Sequence, residues 1–308
     1  MQFDVTILGS NGAIAAFDRF PSSQAINYNG HVFIVDCGEG TQFRMNKFGI
    51  KRGKLDHIFI SHLHGDHYYG LIGLLTSFNL NWREHPLHIY APEGLEEIVK
   101  LQFKYSNTQL KFAIHFHTND TSKNAVIFED KNLVVETLPL IHRIPTCGFL
   151  FREKKPQRKI LPDKIAEYNI PFQLINDIKS GADYTTPEGR VISNAALTTP
   201  ALPPCSYAYC SDTAYTEQFI DRINGIDLLY HEATFVHEHE FRAAETFHTT
   251  TKQAAALAKK AGVKKLLIGH FSARYENLQV LLDECREVFP ETYLAIEGST
   301  FAIDSSDQ

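Results

Sequence analysis

The sequence contains few cysteines, and their spacing excludes several classes of site. No two of them have the C-x-x-C spacing that is typical of thiolate metal sites and redox pairs. The five positions are Cys37, Cys147, Cys205, Cys210 and Cys285. Because an odd number without such a pair is typical of reduced thiols, we expect a cytoplasmic protein without disulfides.

Long apolar runs and an excess of positive charge are also missing. No stretch has the length and apolar character of a membrane span, and a strand pattern at residues 3–9 stands where a signal peptide would begin. We therefore expect no membrane association. The net charge of −6 gives no general case for nucleic-acid binding, so any such case must be local.

The remaining composition is that of an ordinary globular protein. Hydrophobic residues make up 44% and charged residues 21% of 308 residues, which allows one large domain or two ordinary ones. We expect a single domain over residues 1–308. One segment, residues 152–203, is rich in proline and has weak periodicity, which predicts an inserted arm.

Short apolar runs separated by Gly, Asp and Asn indicate strands that alternate with helices. The predicted strands span residues 3–9, 31–36, 57–61, 87–90, 133–138, 147–151, 207–210, 227–230, 264–268 and 293–297. The predicted helices span residues 70–80, 93–104, 214–223, 250–261 and 276–289. This alternation predicts an α/β fold in which two sheets pack together with helices outside.

A dense cluster of metal-ligand side chains follows the predicted strand at 57–61. His62, His64, Asp66 and His67 put three imidazoles and a carboxylate within six positions. Nitrogen and oxygen ligands without thiolate suit zinc, and less often manganese or iron. Crowded histidines would repel one another once protonated, and a bound cation removes that problem. A metal site is therefore preferred over a solvated loop.

Three further residues of ligand type stand where other predicted strands end. They are His142, Asp212 and His270. A lone His or Asp at such a position is more often a turn or cap residue, but loops at strand ends also build sites. Together with the cluster, they complete a dinuclear set. His62, His64 and His142 would hold one ion, Asp66, His67 and His270 would hold the other, and Asp212 would bridge both.

Four other segments have distinctive sequences. They read G-E-G-T-Q at 38–42, H-E-A-T-F at 231–235, H-T-T at 248–250 and H-F-S-x-R-Y at 270–275. With the metal motif, they resemble the metallo-β-lactamase superfamily and, within it, the ribonuclease Z family. The resemblance implies an αββα sandwich of two mixed sheets with a protruding arm. Residues 9–17 lack the family's early Pro- and Thr-rich sequence, and Ile170-Pro171 replaces its Gly-Pro pair.

The resemblance also implies a reaction. We expect a zinc-dependent endoribonuclease that removes the 3′ trailer from precursor tRNA, with two Zn²⁺ per subunit, or Mn²⁺ in their place, in a homodimer. Metal-bound hydroxide would leave a 3′-hydroxyl on the tRNA and a 5′-phosphate on the trailer. His248 would protonate the leaving oxygen, with Glu232 orienting it, and Asp66 would orient the hydroxide. Glu232 is nearly as well explained as a hydrogen-bond partner of a ligand histidine.

The start of the arm is basic although the whole chain is acidic. Between residues 152 and 164, six basic side chains face two acids. The resemblance implies that this arm grips tRNA through phosphate and shape. The candidate RNA-binding residues are Lys154, Lys155, Arg158 and Lys159 in the arm and Arg274 near the last ligand.

Two other functions stay open at this point. A small-molecule phosphodiesterase, sulfatase or lactonase of the same superfamily could use the same ligands, but it would have no use for a long basic arm. A non-catalytic RNA-binding or scaffold protein with a relict metal site would be expected to have lost some of the ligands, and all seven are present.

Overall fold

Two seven-stranded sheets form the body of the protein, whose computed structural model describes residues 2–304. The strands are β1 Phe3–Gly9, β2 Ser23–Tyr28, β3 His31–Cys37, β4 Leu55–Phe59, β5 Leu87–Ala91, β6 Ile114–Thr118, β7 Val126–Glu129, β8 Leu133–Pro139, β9 Cys147–Glu153, β10 Lys159–Ile160, β11 Tyr184–Thr185, β12 Val191–Ile192, β13 Thr198–Thr199, β14 Ser206–Cys210, β15 Leu228–Glu232, β16 Lys265–Gly269, β17 Thr292–Leu294 and β18 Thr300–Ala302.

Both sheets are mixed, as the sequence predicts. The first has the order β18-β1-β2-β3-β4-β5-β6, and the second has the order β17-β16-β15-β14-β9-β8-β7. β3 to β6 run parallel in the first sheet, and β14 to β17 run parallel in the second. Antiparallel pairs complete each sheet, including β1 with β18 and β9 with β14, which are distant in sequence. Because the carboxyl ends of parallel strands meet at one edge, each sheet gathers several loops at the same edge.

Some of the helices cover the outer faces of the two sheets. The helices are α1 Thr41–Lys47, α2 Gly65–Tyr68, α3 Gly70–Leu80, α4 Leu95–Tyr105, α5 Pro162–Glu167, α6 Ile175–Lys179, α7 Asn194–Leu197, α8 Glu240–Thr246, α9 Thr251–Ala261 and α10 Gln279–Arg286. Of these, α5 to α7 belong to the arm. Single 3₁₀ turns lie at Arg52–Lys54, Phe172–Leu174, Ile220–Arg222 and His237–His239. α9 begins with a capping box, since Thr250 and Gln253 each bond the other's backbone, and it ends at Gly262 in the left-handed conformation.

Three apolar layers hold this arrangement together. Between the sheets, the ring of Phe59 lies 4.7 Å from that of Tyr90 and 5.4 Å from that of Phe149, measured between centroids. α1, α3 and α4 pack on the outside of the first sheet, and α9 and α10 pack on the outside of the second. The order helix, sheet, sheet, helix confirms the predicted αββα sandwich.

The arm is a small folded unit and not the irregular excursion that its weak periodicity suggested. It contains α5 to α7, β10 to β13 and an apolar cluster of its own, formed by Ile170, Ile178, Tyr184, Ile192 and Leu197. Its start at residue 152 needs correction, because β9 continues to Glu153 and Arg152 pairs with Ser206 in the second sheet.

Several predicted elements differ from the structure. No helix forms over residues 214–223, where only the 3₁₀ turn Ile220–Arg222 is regular. The strands β2, β6, β7 and β18 and the short arm strands β10 to β13 are not predicted at all. The strand predicted at 57–61 lies two residues earlier, and the strand predicted at 293–297 ends at Leu294. Within residues 2–304, no helix has the length and apolar character needed to cross a membrane.

Candidate metal centre

All seven residues of the predicted ligand set lie together at the carboxyl edge of the two sheets. β4 ends at Phe59, and the chain then passes through His62 and His64 to α2, whose first turn carries Asp66 and His67. The remaining three follow strands of the second sheet. They are His142 after β8, Asp212 after β14 and His270 after β16.

The first group is formed by His62, His64, His142 and Asp212. Nδ1 of His64 lies 3.1 Å from Nε2 of His62 and 3.1 Å from Nε2 of His142. Oδ2 of Asp212 lies 3.7 Å from the first of these Nε2 atoms and 3.9 Å from the second. His64 therefore faces the group through Nδ1, whereas the other two histidines face it through Nε2.

The second group is formed by Asp66, His67, His270 and the same Asp212. Oδ1 of Asp212 lies 3.3 Å from Nε2 of His67 and 3.1 Å from Nε2 of His270. Oδ2 of Asp66 lies 3.5 and 3.4 Å from the same two nitrogens. Asp212 thus turns one carboxylate oxygen to each group, as a bridging ligand would.

These groups fit metal ions better than they fit hydrogen bonds. Two atoms that ligate one tetrahedral zinc at ~2.0–2.2 Å are about 3.3 Å apart, and the distances above scatter around that value. Nε2 of His67 and Oδ1 of Asp212 are buried without a hydrogen-bond partner among the described residues. Buried polar atoms are rarely left in that state, and a metal ion would satisfy both.

Charge in the site also favours a cation. Burial by itself would raise the pKa of Asp212, but the neighbouring His270 and His67 hold that pKa well below its ordinary value. Burial disfavours a charge on His67, yet Asp212, Asp66 and Asp36 outweigh it and raise the pKa of His67. These carboxylates would attract a metal ion to Nε2 in place of that proton.

Each histidine that faces a group through Nε2 has its other ring nitrogen held by the protein. Nδ1 of His62 lies 3.0 Å from the hydroxyl of Ser61, and Nδ1 of His142 donates to the carbonyl of Phe247 at 3.0 Å. Such contacts fix the orientation of a ligand imidazole and the nitrogen it offers to a metal.

Asp36 holds His67 in the same way, and our sequence analysis missed it. Its Oδ2 accepts hydrogen bonds from Nδ1 of His67 at 2.7 Å and from the hydroxyl of Tyr209 at 2.7 Å. Oδ1 accepts from the amide of Ser61 at 2.8 Å. Asp36 is fully buried at the end of β3. A carboxylate that directly follows the apolar run 32–35 was the signal that could have identified it.

The contacts of Glu232 are compatible with both roles that the sequence left open, which are orienting His248 and supporting a ligand histidine. Its Oε1 accepts from Nδ1 of His248 at 3.0 Å, so it can orient that histidine. Its Oε2 accepts from the hydroxyl of Thr234 at 2.8 Å, and this hydroxyl lies 2.9 Å from Nδ1 of His270. Glu232 therefore contacts a ligand-type histidine only through Thr234, which the sequence analysis also missed.

Glu232, His248 and His270 form a third set that is close enough to hold an ion. Nδ1 of His248 is already bound to Glu232, and the hydroxyl of Thr234 lies between Glu232 and Nδ1 of His270. This set is therefore a hydrogen-bonded network, and an ion would have to displace its bonds.

An early loop closes one side of the site. The amide of Ala13 donates to Oδ2 of Asp66 at 2.7 Å. Gly12 lies so close to His270 that an added Cβ would be 2.6 Å from its ring, so a side chain at that position would displace this imidazole. The loop is thus built against both sides of the second group.

The site opens into a pocket of about 760 Å³. His64, Asp66, His142 and His248 line it, together with the exposed Tyr69 and Arg143. An open pocket of this size admits an extended substrate to the two groups.

The predicted RNA-binding residues lie outside this pocket and differ in their surroundings. Lys154 pairs with Glu129 at 2.6 Å, and Arg158 donates to the hydroxyl of Thr198 at 2.6 Å. Lys155 and Lys159 are exposed and have no ion pair or hydrogen bond to another described side chain. Arg274 is exposed and lies over the ring of Phe235, 5.3 Å from its centroid.

Comparison with known proteins agrees with this geometry. Residues 3–161 match the family model described as anti-Pycsar protein Apyc1, and residues 203–271 match that of the beta-lactamase superfamily domain. The first match covers just over half of the chain, so the chain belongs to the broader family that this model describes.

The similarity to curated relatives extends over nearly the whole chain. Ribonuclease Z of Bacteroides fragilis strain YCH46 is 47% identical over 297 residues, 96% of this chain and 98% of that protein. Ribonuclease Z of Bacteroides thetaiotaomicron is 46% identical over 304 residues, 99% of this chain and 96% of that protein. The crystal structure of human tRNase Z, short form (ELAC1), has a TM-score of 0.71 at 26% identity and covers 97% of this chain and 99% of its own.

These comparisons confirm the resemblance on which the sequence analysis relied. With a site that can hold metal ions at the edge of an αββα sandwich, the chain belongs to the ribonuclease Z family.

Proposed function

We propose that this chain is a zinc-dependent endoribonuclease that removes the 3′ trailer from precursor tRNA. The observation that carries the proposal is the pair of ligand groups that share Asp212 at the floor of an open pocket. The relatives' name, ribonuclease Z, and that of the human neighbour, tRNase Z, supply the substrate.

Two Zn²⁺ ions would be held by the seven residues of the two groups, with Mn²⁺ as the other metal that suits them. When bound, such ions lower the pKa of water and stabilise negative charge on a phosphoryl oxygen. Asp66 turns Oδ2 towards the second group, and its Oδ1 has no hydrogen-bond partner among the described residues. This free oxygen is placed to orient the attacking water.

His248 is the proposed proton donor to the leaving 3′-oxygen. Its Nδ1 is held by Glu232, and it lines the pocket, so Nε2 is the nitrogen left for the substrate. The phosphate then stays on the trailer, and the tRNA keeps a 3′-hydroxyl. Glu232 positions His248 and keeps it protonated.

The arm, at residues 154–203, is the proposed tRNA-binding exosite. Lys155 and Lys159 carry the charge that remains free for phosphates, and Lys154 and Arg158 would support the arm's shape as well as its charge. Arg274 is the proposed contact nearer the site. Such residues would read backbone and shape, which suits an enzyme that must accept many tRNAs.

We further propose a homodimer that acts in the cytoplasm. Phe43 on α1 and Tyr69 before α3 are 69% and 65% exposed, respectively. The two helices contact each other through the hydrogen bond from Ser77 to Gln42, and a partner subunit would cover both aromatic side chains. The five cysteines are buried and form no disulfide among the described residues, which fits a reducing compartment.

The test is cleavage of a 3′-extended precursor tRNA by zinc-loaded protein, mapped to the nucleotide, beside His64→Ala. The proposal expects one cut near the 3′ end of the tRNA, a trailer with a 5′-phosphate, and loss of the cut and of bound metal in the variant. Light scattering of the same preparation gives the oligomeric state.

The second candidate is a small-molecule phosphodiesterase. The only observation that favours it is that the same metal ligands could also act on small substrates. If metal-replete wild-type protein hydrolyses bis(p-nitrophenyl) phosphate but leaves every precursor tRNA intact, that candidate replaces the first.

A further inference from the structure

Arg143 is the one lysine or arginine among the described residues that line the pocket of the metal centre. It directly follows His142, and its side chain is exposed. Three acidic residues, Glu39, Asp66 and Asp212, line the same pocket. Apart from the histidines, a polyanionic substrate that enters this pocket therefore meets one side chain that is always positively charged.

The guanidinium of Arg143 has no hydrogen bond or ion pair with any residue that the structure describes. Other arginines near the site are engaged in the fold. Arg19, for example, binds the side chain of Asn11 and the carbonyl of Glu276. A free guanidinium keeps all five of its donors for a ligand.

The backbone that carries Arg143 is nevertheless held on both sides. On one side, Ile141 donates to the hydroxyl of Thr213 at 3.0 Å and accepts from the amide of Ala214 at 2.8 Å. On the other side, Thr146 donates to the carbonyl of Ile144 at 2.8 Å, and Pro145 restricts the residue before it. The backbone that carries the side chain is therefore held in place before a ligand binds. This lowers the entropic cost of binding.

We infer that Arg143 binds a backbone phosphate next to the scissile one and thereby helps to select RNA over small phosphodiesters at this site. The inference rests on the proposed function. His62 and His67 are buried, whereas Arg143 is exposed and lines the pocket without belonging to either ligand group. This difference in depth favours a phosphate next to the scissile one as its partner. A guanidinium binds phosphate in a bidentate manner and does not lose its charge at any ordinary pH.

The experiment compares wild-type protein, Arg143→Ala and Arg143→Lys on precursor tRNA and on bis(p-nitrophenyl) phosphate, which has one phosphate only. For Arg143→Ala we expect KM for precursor tRNA to rise roughly 10-fold or more with kcat nearly unchanged. The slope of log(kcat/KM) against log salt should become shallower by about one unit. Arg143→Lys should keep that slope but recover only part of the KM. Turnover of the small diester should not change.

A second series identifies the phosphate. Single methylphosphonates, which remove the charge, are placed at linkages on either side of the scissile bond. At the contacted linkage, wild-type protein and Arg143→Ala should become equal. Lys259→Ala, an exposed lysine in the last turn of α9, is the matched control and should change neither the KM nor the response to the methylphosphonates.

The possible failures are distinct. Normal cleavage by the wild type with unchanged KM and salt slope in Arg143→Ala overturns the inference and leaves the proposed function standing. Equal loss on precursor tRNA and on the small diester also overturns it, because Arg143 would then act on the scissile phosphate or on the fold. No cleavage of precursor tRNA by metal-replete wild type overturns the proposed function and this inference together.

Discussion

Glu232 accepts a hydrogen bond through Oε1 from Nδ1 of His248 at 3.0 Å, and this contact controls the charge of the histidine. Burial by itself would lower the pKa of His248. The carboxylates of Glu232, Asp212 and Asp66 together outweigh burial and raise the pKa of His248 to about 9, with Glu232 contributing most. The imidazolium form is therefore present at neutral pH, which is the form that can donate a proton to a leaving oxygen.

The first prediction concerns the pH dependence of cleavage. Since the pKa of His248 is raised to about 9, its acid form is complete at neutral pH and is lost as the pH rises through that value. We expect the single-turnover rate constant for cleavage of precursor tRNA to fall on the alkaline side, at a pH no higher than about 9, because bound cations oppose the imidazolium charge. His248→Ala should lower kcat by roughly 10²–10⁴-fold and remove this limb.

His239→Ala is the control for that prediction, because His239 is a partly exposed histidine in a 3₁₀ turn near α8. Glu232→Gln gives a second readout. It removes the negative charge that raises the pKa of His248, so the alkaline limb should move to lower pH. An alkaline limb that survives in His248→Ala would show that another group donates the proton.

The second prediction concerns the hydroxyl of Thr234, which lies between Glu232 and His270. Thr234→Val keeps the shape but leaves Nδ1 of His270 and Oε2 of Glu232 without this partner. Contacts of this kind are typically worth about 10–100-fold in metal affinity. We expect chelator titration to show one ion bound more weakly by roughly that factor. Thr234→Ser restores the hydroxyl and should recover the affinity, and a Thr234→Val protein that keeps wild-type affinity would exclude this role for the hydroxyl.

The residues that could be found in the sequence share one property. A His or Asp that comes within a few residues of the end of an apolar strand lies near the carboxyl edge of a sheet, wherever the strand is in the chain. With that rule, His142, Asp212 and His270 could be assigned to the same site as the cluster at 62–67 without any knowledge of the tertiary structure. Arg143 was missed because its neighbours in sequence do not show that its guanidinium is free.

Asp36 and Thr234 were missed for a different reason. Each acts by contacting a histidine that is distant in the sequence, 31 positions from Asp36 and 36 from Thr234. The apolar run 32–35 marks Asp36 as a strand-end carboxylate, but no local pattern records which histidine Asp36 or Thr234 contacts. Positions of this kind are visible only when the strands of each sheet are paired, since β3 lies beside β4 and β15 lies beside β16.

The helix predicted over residues 214–223 does not form, because hydrogen bonds near the site outweigh the local periodicity. Phe219 and Ile223 are both buried, as a helical face would require. The backbone before them is used elsewhere, because Ala214 donates to the carbonyl of Ile141 and the amide of Thr213 donates to Glu232. These bonds hold the segment after Asp212 in an irregular conformation, so the helix has no place to begin.

The third prediction concerns Asp36, whose carboxylate supports His67. Asp36→Asn preserves the side-chain volume and tolerates the positive φ of 54° at this position. It weakens the bonds from His67, Ser61 and Tyr209 because a neutral amide is a poorer acceptor. We expect weaker metal binding and unfolding at least ~1 kcal/mol easier, measured by chelator titration and by denaturant melts. Wild-type values in both measurements would mean that His67 does not need this carboxylate.

The last prediction separates the free from the engaged charges of the arm. Lys155→Glu with Lys159→Glu reverses two exposed cations that form no ion pair within residues 2–304, whereas Lys154 pairs with Glu129 and Arg158 contacts Thr198. We expect the double reversal to raise KM for precursor tRNA by at least 10-fold at moderate salt, because nucleic-acid affinity depends on the number of phosphates neutralised. Turnover of bis(p-nitrophenyl) phosphate should be unchanged, since the arm lies outside the pocket.

Lys259→Glu, at the end of α9, tests whether loss of net charge alone has this effect. Lys259→Glu changes the net charge by half as much, so a change in log KM that is half that of the arm variant would reduce the arm to a general electrostatic contribution. A loss confined to the arm variant and to the RNA substrate requires that the arm contacts the tRNA directly.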